Sequence, residues 1–215
     1  MQRLDTPNQV QQNVVVDVGD NSLRSTKGLV LVAVPLLGDP NFHRTVVYML
    51  QHTDDGALGL ILNRPTEEDR IIGLDSWMEE LTHPQVVFDG GPVQANTLIA
   101  VGSLATTIAS EIGDGSDLVA DGFAPLDHGL GTVDLSQIPG EIAERLQNLR
   151  VFRGYSGWGA GQLEDEIGEG SWLALACDAA DLFTPNPLGL WRNVLRRAGG
   201  HEALLADAPD DLSWN

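Results

Sequence analysis

Thr45-Val-Val-Tyr-Met-Leu-Gln-His-Thr-Asp-Asp-Gly-Ala-Leu-Gly-Leu-Ile-Leu62 is the stretch that decides the fold class. Thr45–Gln51 is a β-branched and aromatic run, Thr53-Asp-Asp-Gly56 is a turn signal, and Ala57–Leu62 is a second apolar run of strand length. Two such runs across an Asp-Gly loop predict an antiparallel hairpin. Upstream, Gly28–Val34 reads as a strand closed by Pro35, and Gly38-Asp-Pro-Asn41 as a turn. Downstream, Asn63-Arg64-Pro65 ends the hairpin, because proline offers no ladder donor.

The rest of the chain interleaves helices with strands. Leu74–Leu81 reads as a short helix with a polar cap nearby and Leu74, Trp77, Met78 and Leu81 on one face. Val86–Phe88 leads into the turn Asp89-Gly-Gly-Pro92, and Thr97–Val101 is a further strand. Pro139 suits the first position of a helix running to Asn148, with Ile142, Leu146 and Leu149 inward. Val151–Phe152 is a short strand, followed by a glycine-rich turn and a helix through Leu163 and Ile167. Trp172–Ala176 is a strand. Leu188–Ala198 is a helix with Leu188, Trp191 and Leu195 inward, its late arginines suiting the helix dipole and Gly199-Gly200 stopping it. Helices mixed with at least one hairpin predict a single α+β domain on a mixed sheet, not a regularly wound parallel one. Residues 1–26 are expected to be a mobile arm with one short valine run, 27–206 the domain, and 207–215 a loose acidic tail.

Charge bounds the partners. The chain carries 31 acidic and 12 basic side chains, a formal charge of −19, and Lys27 is its one lysine. A DNA-binding surface typically neutralises about 6–10 phosphates. Here only Arg192, Arg196 and Arg197 cluster, and the overall field opposes approach to nucleic acid or anionic membrane. No apolar run nears the roughly 20 residues of a membrane span, and no basic-then-apolar leader is visible. A single cysteine, Cys177, excludes an intramolecular disulfide. The expected location is the cytoplasm.

Candidate chemistry centres on Gly154-Tyr-Ser-Gly-Trp158. Ser156 lies where a nucleophile elbow would lie, but that elbow needs glycine two residues on, and Trp158 stands there. Trp158, Gln162 and Glu166, at i, i+4 and i+8, would share a helix face, either lining a groove or packing as a core anchor with two loop-bonding partners. His43 and His52 fall on opposite strand faces and do not make a metal pair. Asp114, Asp117, Asp121 and Asp127 do not match a calcium loop. No phosphate-cradling glycine loop is present, and Asp178 beside Cys177 disfavours the thiolate. The expectation is no metal and no cofactor.

The segments Gly28-Leu-Val-Leu-Val-Ala-Val-Pro35, Asp39-Pro-Asn-Phe-His-Arg-Thr-Val-Val-Tyr48, His52, Gly56, Gly59, Asn63-Arg-Pro65, Gly90-Gly-Pro92, Gly154-Tyr-Ser-Gly-Trp158, Gly161-Gln-Leu163, Glu166, Trp172 and Phe183–Trp191, in this order, resemble the AlgH/YqgE family of bacterial proteins. The likeness spans about residues 28–200. It implies an α+β fold with an irregular, partly barrel-like mixed sheet flanked by helices, and a bacterial cytosolic protein. It implies no reaction. The family's regulatory label comes from an association with transcriptional control of exopolysaccharide synthesis, and the charge argues that any such effect here is indirect.

Three functions stay open at this level. The favoured one is a non-enzymatic binding or regulatory protein with an unknown protein or small-molecule partner. Its cleft would gather Asp39, Arg44, Asn63, Arg64, Tyr155, Trp158, Gln162 and Glu166, unless these residues brace one another, Arg44 or Arg64 against Asp39 or Glu166. The second is a hydrolase using Ser156, or Glu166 with His52. The third is direct DNA contact by the Arg192–Arg197 helix.

Overall fold

Leu29–Ala33 (β1), Val46–Thr53 (β2) and Gly56–Ile61 (β3) form an antiparallel trio in the computed structural model, which describes residues 25–105, 122–126 and 129–209. The predicted hairpin is β2–β3, in register from Val47 opposite Ile61 to Thr53 opposite Gly56, with a bulge between Met49 and Gln51. The acidic quartet of the 111–134 region lies outside the described residues.

A short helix, Asp75–Met78 (α1), precedes Phe88–Asp89 (β4), Val93–Leu104 (β5), Phe123–Pro125 (β6) and Leu130–Val133 (β7). Helix α1 buries Trp77 and Met78 as expected, but Leu74 stands at its N-cap and no side chain caps it. Then come Glu141–Arg145 (α2), Leu146–Gly159 (β8), Gln162–Gly168 (α3), Trp172–Ala176 (β9) and Ala179–Leu182 (α4). Leu190–Ala198 (α5) and Gly200–Leu205 (α6) complete the six helices of the described residues. The strands run β6-β7-β5-β8-β3-β2-β1-β9, and β4 pairs parallel with β8 beside that path. The result is one α+β domain on a curled, half-barrel sheet.

Strand β1 is buried on both faces, which explains its unbroken apolar run. Val30 and Val32 face Trp191, Val194 and Leu195 of α5. Leu31 and Ala33 face Leu163 and Ile167 of α3, with Trp158 and Trp172. A third cluster packs Trp77, Met78 and Leu81 against Ala100, Leu149 and Val151.

Strand β8 corrects the largest sequence expectation. Gly154–Gly159 is not a turn between strand and helix; it is the second half of a 14-residue strand. Ser156 and Trp158 are buried while Gly157 and Gly159 are exposed, the period-two pattern of a half-covered strand. Cross-strand pairing of Ser156–Gly159 with Gly59–Gly56 overrides the glycines' weak strand propensity. Two of the neighbouring glycines are obligatory: at Gly91 (φ 142°) a Cβ would lie 2.4 Å from Tyr155 C, and at Gly154 (φ 67°) 2.5 Å from Gly91 O.

Other boundaries shift for the same reason. The helix expected from Pro139 to Asn148 stops at Arg145, because Leu146 and Asn148 pair with Leu104 and Ser103 of β5. Leu188 does not point inward: it sits in a 3-10 turn, Pro187–Gly189, 76% exposed. Ser25 and Thr26, assigned to the arm, are held by β2: Ser25 Oγ donates to His52 O at 3.1 Å and Thr26 is buried.

Candidate functional site

The loop between β1 and β2 carries two of the candidates, Asp39 and Arg44, and meets two more, Asn63 and Arg64, just after β3. Asp39 Oδ1 accepts from Asn41 N at 2.8 Å, an Asx turn. Asn63 Nδ2 donates to Arg44 O at 2.8 Å while its Oδ1 accepts from Val46 N at 2.9 Å. Arg64 donates to Pro40 O at 3.3 Å. Arg44 itself takes a positive φ of 52°, lies 4.7 Å over the Trp191 ring, and donates to Ala208 O at 2.7 Å and to Pro209 O. Among the described residues, Arg44 and Arg64 bond main-chain carbonyls and not Asp39 or Glu166, against the expected bracing pair.

This loop delivers Phe42 onto two tryptophans. Its ring centroid lies 6.0 Å from Trp158, stacked, and 5.3 Å from Trp172, edge-on. Behind them sits Glu166. Its Oε2 accepts the indole N–H groups of Trp158 at 2.9 Å and Trp172 at 2.8 Å, and its Oε1 accepts from Gln162 Nε2 at 2.9 Å. Gln162 Oε1 in turn accepts from Gly159 N at 3.0 Å. Trp158, Gln162 and Glu166 therefore meet, but not on a shared helix face: Trp158 reaches down from β8 and the other two rise from α3.

The residues proposed for hydrolysis are placed elsewhere. Ser156 has no exposed surface, and its Oγ donates to Gly90 O at 3.3 Å. His52 does not pair with Glu166. Thr26 N–H donates to His52 Nδ1 at 3.0 Å, which leaves the ring proton on Nε2, donating to Glu164 Oε1 at 2.9 Å. Burial, then the charge of Asp181, pushes the Cys177 thiol far above its ordinary range. Among the described residues no His, Cys, Asp and Glu set comes together as a metal site.

The α5 arginines are also engaged. Arg192 Nε donates to Ala206 O at 3.3 Å, Arg196 pairs with Asp207 at 2.9 Å, and Arg197 pairs with the buried Asp181, one of its two bonds at 2.7 Å. That pairing raises the Arg197 pKa. Asp181 also closes a capping box with Asp178 at the start of α4.

An open groove of about 400 Å³ lies on the solvent face of β2, β3 and β8. Gln51, Thr53, Asp55, Leu58, Val93 and Tyr155 line it, and Gly157 and Gly159 lie in its floor. Of the eight candidate residues, Tyr155 and Trp158 are in this lining; the Trp158 indole turns to the opposite face. The other six organise the loop and the Glu166 cluster.

One residue escaped the sequence reading. Arg150 is 1% exposed on β8, stacked 4.2 Å from the Phe88 ring, and donates to Leu182 O at 2.6 Å and to His83 O and Thr184 O, both at 3.2 Å. Burial lowers its pKa to about 10. The signal was an arginine inside the apolar run Leu149–Phe152.

A family model for AlgH-like proteins (DUF179) matches residues 30–203. The chain belongs to the AlgH-like family. Curated AlgH-like relatives include a UPF0301 protein of Streptomyces avermitilis, 42% identical over 197 residues, covering 92% of this chain and 99% of the relative. Another, from Thermobifida fusca, is 44% identical over 200 residues, covering 89% and 96%. A crystal structure of a Corynebacterium diphtheriae protein superposes with a TM-score of 0.77 at 25% identity, covering 88% of this chain and 95% of that one. The solution structure of AlgH from Pseudomonas aeruginosa gives 0.56 at 26%, covering 88% and 97%. None of these AlgH-like names states a reaction. No helix among the described residues is long and apolar enough to cross a membrane.

Proposed function

We propose that the chain is a non-catalytic binding protein of the bacterial cytosol whose ligand site is the groove over β2, β3 and β8. Any regulatory effect then runs through what it binds, not through contact with DNA. The observation that carries this reading is the contrast between groove and candidate catalysts. The groove is open, with the Tyr155 ring and the polar side chains of Gln51, Thr53 and Asp55 on its walls. Ser156 is sealed from solvent, and Glu166 already accepts three hydrogen bonds. Small ligands bind in concave sites where a few placed polar groups fix their orientation. The arginines of α5, the natural phosphate contacts, are engaged by Ala206 O, Asp207 and Asp181.

The test pairs a thermal-shift screen of small metabolites with an esterase assay. A metabolite that raises the melting temperature of the wild type, but not of Tyr155→Ala, supports the groove as the site, provided the variant melts within a few degrees of wild type. Turnover of p-nitrophenyl acetate by wild type that disappears in Ser156→Ala overturns the non-catalytic reading.

A further inference from the structure

Two glycines in the groove floor have no role in the packing of this chain. Gly157 and Gly159 face solvent on β8, opposite Leu58 and Gly56 of β3. Neither has a positive φ. A Cβ at Gly157 would lie 3.4 Å from the Tyr155 ring, ordinary contact, and one at Gly159 would meet nothing nearer than Gln162 Oε1 at 3.8 Å. Their neighbours differ: a Cβ at Gly56 would strike Trp158 O at 2.3 Å, and one at Gly59 would strike the Val47 side chain at 2.6 Å. Glycine weakens a strand by its unfolded-state entropy and its missing side chain. A strand glycine that neither φ nor packing demands often marks a bulge, a bend, or a place where a ligand or another backbone comes close to the main chain.

The walls limit what that molecule is. Among the described residues Asp55 is the one charged side chain in the lining, and Gln51, Thr53 and Tyr155 supply neutral polar groups. Among the described residues no Lys, Arg or His lines the groove, and the chain carries 31 acidic against 12 basic groups. That field repels anions and concentrates cations. The tyrosine face adds a cation–π surface. Bare peptide planes from Gly157 to Gly159 leave a flat floor, and about 400 Å³ suits a small molecule. We propose that the groove binds a flat organic cation, an aromatic or heteroaromatic ring bearing an amine or amidine, lying ring-down on Gly157 and Gly159 with its charge toward Asp55. This rests on the groove being the ligand site.

Proflavine, a flat cationic dye, tests it by fluorescence titration of the full chain, with fluorescein as the flat anion. The expected result is one saturable proflavine site, weakened at least tenfold in Gly157→Val and in the milder Gly159→Ala, and about threefold to tenfold in Asp55→Asn. Both glycine variants are expected to melt close to or above the wild-type temperature, since a Cβ has room at both positions. Glycine variants that melt well below wild type would assign the glycines to packing and overturn the proposal. Fluorescein binding that is lost in Gly157→Val would keep the groove as a site but overturn the cationic class. Proflavine binding indifferent to all three variants would overturn both the class and the place. If Gly157→Val instead splits a dimer seen by sedimentation, the occupant is a second copy of this chain, and the proposal falls.

Discussion

Trp172 donates its indole N–H to Glu166 Oε2 at 2.8 Å, and the same oxygen takes the Trp158 indole at 2.9 Å. One carboxylate thus ties the end of β8, the body of α3 and the start of β9. Bonds to a charged acceptor contribute about 1.5–3 kcal/mol each, and losing the acceptor leaves largely buried donors unpaired.

Glu166→Ala is therefore expected to destabilise the fold by about 2–4 kcal/mol. In a domain of this size that lowers the melting temperature by roughly 5–15 °C. Urea unfolding followed by tryptophan fluorescence measures it. An unchanged midpoint would mean that the cluster does not brace the fold.

Arg150→Lys tests the carbonyl cage. A guanidinium reaches Leu182 O, His83 O and Thr184 O at once from above Phe88, whereas an ammonium on a shorter, differently shaped head cannot keep all three. The expected loss is about 2–3 kcal/mol, since buried carbonyls are left unsatisfied. A wild-type denaturation curve for the lysine variant would show that position 150 needs a charge alone.

His52→Phe removes the acceptor for Thr26 N–H and the donor to Glu164. Amide exchange at Thr26 should quicken by roughly tenfold or more, equivalent to about 1–2 kcal/mol of lost protection. Unchanged exchange there would place the anchoring of Thr26 on other contacts.

Cys177 makes a pH prediction. Unfolded, its thiol ionises at about pH 8.5. Folded, burial holds it protonated to much higher pH. The native state then keeps a proton that the unfolded state has lost, so this thiol's contribution is intact below about pH 8.5 and declines as pH rises above it. Cys177→Ala should show a shallower alkaline loss of stability than wild type between about pH 9 and 11. Parallel stability–pH curves would contradict the assignment.

The α5 arginines give a prediction about nucleic acid. With Arg192, Arg196 and Arg197 engaged within the chain, a duplex DNA mobility shift should be absent at 150 mM salt, and neutralising all three should change nothing. A salt-resistant shift abolished by Arg196→Ala would reverse this view.

What the sequence disclosed depended on how local each signal was. The β2–β3 hairpin was legible because apolar, β-branched runs of strand length and the turn residues between them agreed within a few positions, and Trp172–Ala176 because it is a short unbroken apolar run. The second half of β8 was not, because the partners that make Gly154–Gly159 a strand lie about 100 residues away in β3. The meeting of Trp158, Gln162 and Glu166 was foreseen by a helical periodicity that the first of them does not have. Arg150 went unread since nothing near it in the chain supplies its carbonyls, which come from loops at 83 and 182–184. The groove could not be seen at all from spacing, being a matter of which side chains are missing from one sheet face.

The sheet is closed by its latest members: β1 waits for β9, and β3 waits for β8. During translation the β1–β3 unit leaves the ribosome with both flanks bare. At about 5–20 residues per second, the hundred or so residues before β8 arrives take roughly 5–20 s. Throughout that interval two naked strand edges invite pairing with a neighbouring nascent chain, so the topology makes this protein's yield a matter of chaperone cover and synthesis speed as much as of final stability.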